Sequence, residues 1–164
     1  MKRSNLKGTI NVCKADFHEL EKYYSADEFD AVFFLESLTH SHNPQKAVQS
    51  VRNIIKKRGT IYIKDLYRGP DNPNMKSQID YPIEAIERQF CLKIRPVGEI
   101  IDILSECGFE LAFCKRLEVE ANFDVGNNFT AKHLFKLLKD QDGAWVDRGM
   151  VFLNWLEIKA MKHY

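Results

Sequence analysis

The run Phe29 to Leu38, FDAVFFLESL, restricts the fold more than any other stretch of this chain. Its middle, Ala31-Val32-Phe33-Phe34-Leu35, is apolar at every position. A strand with one wet face alternates apolar and polar residues, whereas a strand covered on both faces does not need to. The expectation is therefore a central parallel strand in an α/β sheet. Its carboxyl end delivers Glu36, Ser37, Thr39 and His40 together, and the crevice beyond the carboxyl ends of parallel strands is where open α/β sheets bind their ligands.

The flanking segments supply the rest of such a sheet. Residues 9–15, TINVCKA, alternate closely enough to suggest a preceding strand that ends at Asp16-Phe17, with His18 to Asp27 as a short helical crossover. Asn43-Pro44 reads as a helix cap followed by proline at the first helical position. Ala47, Val48, Val51, Ile54 and Ile55 then form one apolar helical face, with the basic run Lys56-Lys57-Arg58 closing the helix before Gly59. Thr60 to Ile63 is the next strand and leads to Asp65. Helices are expected over 79–91, with Ile83, Ile86 and Phe90 buried, and from Pro96 to a glycine cap at Gly108. Phe109 to Lys115 and Val151 to Met161 read as an antiparallel pair of strands, the last one bulged near Asn154. A helix over Phe129 to Leu138 and a turn at Asp142-Gly143 complete the pattern.

Length and charge narrow the class. A chain of 164 residues suits one domain. Lys+Arg 24 against Asp+Glu 23 leaves a formal charge of +1, which points away from nucleic acid and from anionic membranes. No apolar run approaches the roughly 20 residues of a membrane helix. Cys13, Cys91, Cys107 and Cys114 are scattered without a CxxC pair, which fits reduced thiols in a cytoplasmic protein.

In order, the signals resemble class I S-adenosylmethionine-dependent methyltransferases. They are a strand ending Ala15-Asp16-Phe17; FDAVFFLESLTH; an amphipathic helix from Asn43-Pro44 to Lys57-Arg58-Gly59-Thr60; a strand ending in Asp65; Glu106-Cys107-Gly108-Phe109; and a final strand Trp155 to Ala160. Within that family the chain is most similar to the sterol and cyclopropane-synthase type that act on small molecules. The resemblance runs from about residue 9 to the end. It implies an α/β, truncated Rossmann-like methyltransferase fold, a mostly parallel sheet with an antiparallel last strand. The first strand here matches the family's third, and no GxGxG occurs in the sequence, so the family's glycine-rich cofactor turn has no counterpart.

By resemblance, Asp16 and Phe17 would lie against the adenine of S-adenosylmethionine, and Glu36 and His40 would face the acceptor and the transferred methyl group as catalytic residues. Ser37, Asp65 and Tyr67 would border a small-molecule acceptor. Each has a plainer alternative: Asp16 as a cap, Phe17 as core, the pair Glu36 and His40 as a strand-end network, and Asp65 and Tyr67 as turn supports. Phe123, Phe129, Trp145, Phe152 and Trp155 would either roof an apolar pocket or fill the core. His40-x-His42 beside Glu36 is a conceivable metal set, but such spacing on a loop is common by chance, and no metal is expected. A fold lacking its first two strand-helix units would leave an apolar strand edge, which stable proteins cover. The expected strand order is first, second, third, last, fourth, with residues 9–15 on that edge and a homodimer or partner protein over the remaining apolar surface. Alternatively, the chain is an inactive scaffold of the same fold.

Overall fold

The computed structural model describes residues 8–68, 76–116 and 153–163. Strand β1 (Phe29–Leu35) is followed by helix α1 (Pro44–Ile54) and strand β2 (Ile55–Arg68). Asn43 caps α1 as its sequence requires: its Oδ1 accepts the Lys46 N–H at 2.9 Å, and Pro44 takes the first helical position. The helix buries Ala47, Val48, Val51 and Ile54. At Gly59 a Cβ would come within 2.8 Å of the Lys56 carbonyl oxygen and 2.6 Å of Ile55 Cγ1, so only glycine permits the approach there.

Helix α2 (Lys76–Phe90) precedes helix α3 (Val97–Glu106), strand β3 (Phe109–Arg116) and strand β4 (Leu153–Lys162). Gly108 takes φ 75° at the end of α3, the left-handed value expected of a glycine cap. The sheet order is β1-β2-β4-β3. β1 and β2 are parallel, while β4 is antiparallel to both β2 and β3. β1, β2 and β3 therefore run one way and β4 the other, the mixed sheet expected from the sequence.

One face of this sheet carries the main core. Ile61, Ile63 and Ile158 are fully buried there with Val48, Val51, Ile100 and Leu104 from α1 and α3. Each such side chain contributes on the order of 1.5–3 kcal/mol. A second, smaller cluster joins Leu66, Ile83, Ile86 and Ile94, with Trp155 packed against it, so α2 packs on the other face near the carboxyl end of β2.

Several expectations are corrected. Residues 9–15 form no strand; Ile10 is 91% and Val12 92% exposed. Phe17 packs edge-on against Phe34, which lies on the helix-covered face. Local β propensity without a partner strand makes no strand. β1 is consequently the edge of the described sheet, and it is buried on one face only: Phe34 is 5% exposed, Phe33 62% and Leu35 59%. The crossover helix expected over His18 to Asp27 shrinks to a 3-10 turn at Leu20–Lys22. Lys56-Lys57-Arg58 opens β2 instead of closing α1. The irregularity between the last two strands falls between Leu111 and Phe113, not at Asn154. Phe123, Phe129, Trp145, Phe152, the helix over 129–138 and the turn at Asp142-Gly143 lie outside the described residues.

Candidate functional site

The loop leaving β1 is built by unusual backbone and by hydrogen bonds to two distant segments. Glu36 adopts φ 54°, a left-handed value uncommon for a side-chain-bearing residue, and its N–H donates to the Lys64 carbonyl at 2.7 Å. That turn leads Ser37 into a 3-10 turn over Leu38–His40. Three bonds then tie the loop to residues 91–95: Lys93 N–H to the Thr39 carbonyl at 2.8 Å, His40 Nδ1 to the Cys91 carbonyl at 3.1 Å, and Arg95 Nη2 to the Ser41 carbonyl at 3.0 Å. Arg95 is itself held by Glu99 at 3.1 Å.

Underneath, Asp65 is 1% exposed and fully engaged by the protein. Its Oδ2 accepts the Thr39 N–H at 3.0 Å; its Oδ1 accepts the Thr39 hydroxyl at 2.8 Å and the Leu66 N–H at 2.9 Å. Tyr67 is equally buried, and its hydroxyl has no hydrogen-bond partner among the described residues. Burial, reinforced by the nearby Asp65, pushes the Tyr67 phenol far above its usual range, so it stays neutral. Asp65 and Tyr67, expected at the acceptor, are thus placed in the interior, where Asp65 shapes the loop. Ser37 is half-buried at the loop's start.

Glu36 and His40 are both exposed. Lys64 Nζ sits 3.1 Å from Glu36 Oε1. A carbonyl only accepts, so the Cys91 contact requires the proton on His40 Nδ1 and leaves Nε2 of the neutral ring with a lone pair. Asp16 and Phe17 reach the same loop through residues that the sequence reading did not single out. His18 is 5% exposed; its Nδ1 lies 2.7 Å from Asp16 Oδ1 and its Nε2 2.7 Å from the Ser41 hydroxyl. With the proton on Nδ1 for the carboxylate, Ser41 donates to Nε2 and accepts the Asn43 N–H at 3.1 Å. Ser41 is 2% exposed, so this Asp-His-Ser chain braces the loop and presents no nucleophile. The spacing Asp16-x-His18 was the available signal; the contacts of Ser41 and Arg95 had none in the sequence.

Asp16 Oδ1 also accepts the His18 N–H at 2.9 Å, and no hydrogen bond reaches Oδ2 among the described residues. The His18 backbone N–H, followed by its ring, holds the Asp16 carboxyl below the usual carboxylate range. A depressed native pKa adds stability that is present above the unfolded value of about 3.9 and is lost as pH falls through the lower native value. Acid titration followed by the 13C shift of the Asp16 carboxyl is expected to show a depressed midpoint that rises only part of the way in His18→Ala, which removes the ring but keeps the backbone N–H. An unchanged midpoint in that variant would contradict the contact. Among the described residues no cluster of His, Cys, Asp and Glu is arranged to hold a metal ion, and no helix is long and apolar enough to cross a membrane.

The sequence model of a family described as a methyltransferase domain matches residues 1–101. The chain belongs to that family. No curated protein matches the sequence. Among solved structures, this methyltransferase-family chain is similar to geranyl diphosphate C-methyltransferase from Streptomyces coelicolor, solved with Mg2+, geranyl diphosphate and S-adenosyl-L-homocysteine. The TM-score is 0.65 at 13% identity over 93% of this chain and 53% of that one. A Galdieria sulphuraria protein provisionally identified as a sarcosine dimethylglycine methyltransferase gives 0.61 at 19% identity over 90% and 57%. A Bacillus halodurans protein provisionally identified as a methyltransferase gives 0.60 at 21% over 92% and 71%. At these identities the likeness establishes the fold. The chain spans just over half the length of the first two structures and 71% of the third.

Asp16 and Phe17 suit the adenine end of S-adenosylmethionine: a carboxylate fixed at one oxygen and open at the other, next to an aromatic ring. Among the described residues no glycine-rich turn offers successive N–H groups to the cofactor's other end.

Proposed function

We propose that this chain forms the acceptor-side part of an S-adenosylmethionine-dependent small-molecule methyltransferase. The observation that carries this reading is the path from Asp16 through His18 to Ser41, which fixes the adenine-side carboxylate to the loop bearing His40. His40 Nε2 is the proton acceptor for a small-molecule acceptor, its ring held by the Cys91 carbonyl. Glu36, exposed and paired with Lys64, offers a carboxylate to positive charge developing on the acceptor. Ser37 stands at the mouth of the same loop. Asp65 and Tyr67 act from beneath by holding the loop's shape.

Calorimetric titration with S-adenosylmethionine and its demethylated product tests this. Micromolar binding that is lost in Asp16→Ala is expected; no heat at millimolar ligand would overturn it. His40→Asn is expected to leave cofactor binding unchanged while abolishing methyl transfer. A second reading, a scaffold of the same fold without cofactor, is favoured by the absence of GxGxG from the sequence. The same titration separates the two.

A further inference from the structure

The geometry points to Glu87 of α2 as a positioning residue for His40: it holds the Cys91 carbonyl where that carbonyl keeps the proton of the His40 ring on Nδ1. The ring nitrogen lies 3.1 Å from this carbonyl, so the tautomer depends on where Cys91 points. Cys91 follows the last residue of α2 and takes φ 51°, the left-handed conformation that helix ends usually give to glycine. The Leu92 N–H closes the turn on the Glu87 carbonyl at 3.1 Å. A residue with a Cβ keeps such a conformation only where its surroundings hold it.

The Glu87 side chain supplies that hold. Its Oε1 accepts the Ile94 N–H at 2.8 Å, and its Oε2 accepts from Lys93 Nζ at 3.0 Å. The Glu87 side chain is 13% exposed and that of Lys93 62%, so the bond to the Ile94 backbone is the stronger constraint and the lysine adds little. From the other side, the Lys93 N–H donates to the Thr39 carbonyl at 2.8 Å. The segment leaving Cys91 is therefore gripped between α2 and the His40 loop. Further along, the Arg68 N–H donates to the Arg95 carbonyl at 3.0 Å, which anchors the segment to the end of β2. Without the Glu87 carboxylate the Ile94 N–H loses its acceptor, Cys91 is free to leave the left-handed region, and its carbonyl swings off His40 Nδ1. The neutral ring then carries its proton on Nε2, the nitrogen that has to accept one. The functional meaning of this control rests on the reading of His40 as proton acceptor; the control itself does not.

Histidine-selective 15N NMR on the whole chain, in alkaline buffer that keeps imidazoles neutral, tests the assignment. His40→Asn identifies the ring's signals. Wild type is expected to carry the His40 proton on Nδ1, and Glu87→Ala to lose that signature as the Nδ1 and Nε2 shifts exchange character. Glu87→Gln, whose amide oxygen still accepts the Ile94 N–H, is expected to retain it. His18 is the internal control, because its Nδ1 proton is held by Asp16. A general loosening of the fold would move both histidines, so a joint change overturns the proposal. So do a wild-type His40 protonated on Nε2, a Glu87→Ala ring still protonated on Nδ1, and a Glu87→Gln ring altered as far as that of the alanine variant. If Glu87→Ala does not fold, Glu87→Asp, one methylene short of the Ile94 N–H, is read by the same criteria. In methyl transfer, Glu87→Ala is expected to lower kcat at least about tenfold with KM unchanged. An unchanged kcat overturns the positioning role. A wild type that transfers no methyl group, while Glu87→Ala still moves the His40 proton, would sink the catalytic reading of His40 and leave the control by Glu87 standing.

Discussion

Asp65→Ala is expected to destabilise the fold by about 3 kcal/mol. The carboxylate accepts three hydrogen bonds, two from Thr39 and one from the Leu66 N–H, in a site that is 1% exposed. Without it the Thr39 and Leu66 N–H groups are stranded away from water, and each buried donor left unpaired costs about 1–3 kcal/mol. Asp65→Asn retains one acceptor oxygen and is expected to lose roughly half as much. Thr39→Val removes the hydroxyl partner alone and should cost about 1 kcal/mol. Urea unfolding with a constant m-value measures all three. A loss below about 1 kcal/mol for Asp65→Ala would mean that water replaces the carboxylate, and the loop would then not depend on it. The functional consequence follows from Thr39 and His40 being adjacent: if Asp65 sets the loop, Asp65→Asn also displaces the His40 ring from the Cys91 carbonyl.

The second large effect compares neighbours on one strand. Phe34→Ala removes a ring from the main core, where it is 5% exposed and meets Phe17 edge-on. The expected loss is about 3–5 kcal/mol. Phe33→Ala removes the same ring from a position 62% exposed and is expected to cost less than about 1 kcal/mol. Equal losses would require both faces of β1 to be covered, as its composition alone suggests.

That comparison marks where sequence reasoning stopped. The run from Ala31 to Leu35 announces a strand, and a strand forms; apolar composition says that both faces avoid water, but not that the chain itself supplies both covers. Residues 9–15 have strand propensity and no partner, so they remain unpaired. Asn43-Pro44 and Gly108 were legible because caps are local chemistry, satisfied within a turn of backbone. Of the candidate residues, Glu36 and His40 follow the strand end that the sequence announces, whereas Asp16 reads as the end of a strand that does not form. His18, Ser41 and Arg95 were not legible, because each acts through a contact with sequence-distant residues: His18 reaches Ser41, and Arg95 reaches the Ser41 carbonyl.

The amino-acid order by itself determined the helix boundaries marked by caps, the parallel pairing of β1 with β2, the antiparallel last strand and the methyltransferase family. Periodicity and capping are properties of neighbouring residues, so they survive without knowledge of the rest of the fold. Tertiary structure alone decided which face of β1 is wet, that Asp65 and Tyr67 turn inward, and that a buried histidine joins Asp16 to the loop of His40. Those outcomes depend on which elements meet across the sheet, and burial and hydrogen-bond partners are fixed only when they do.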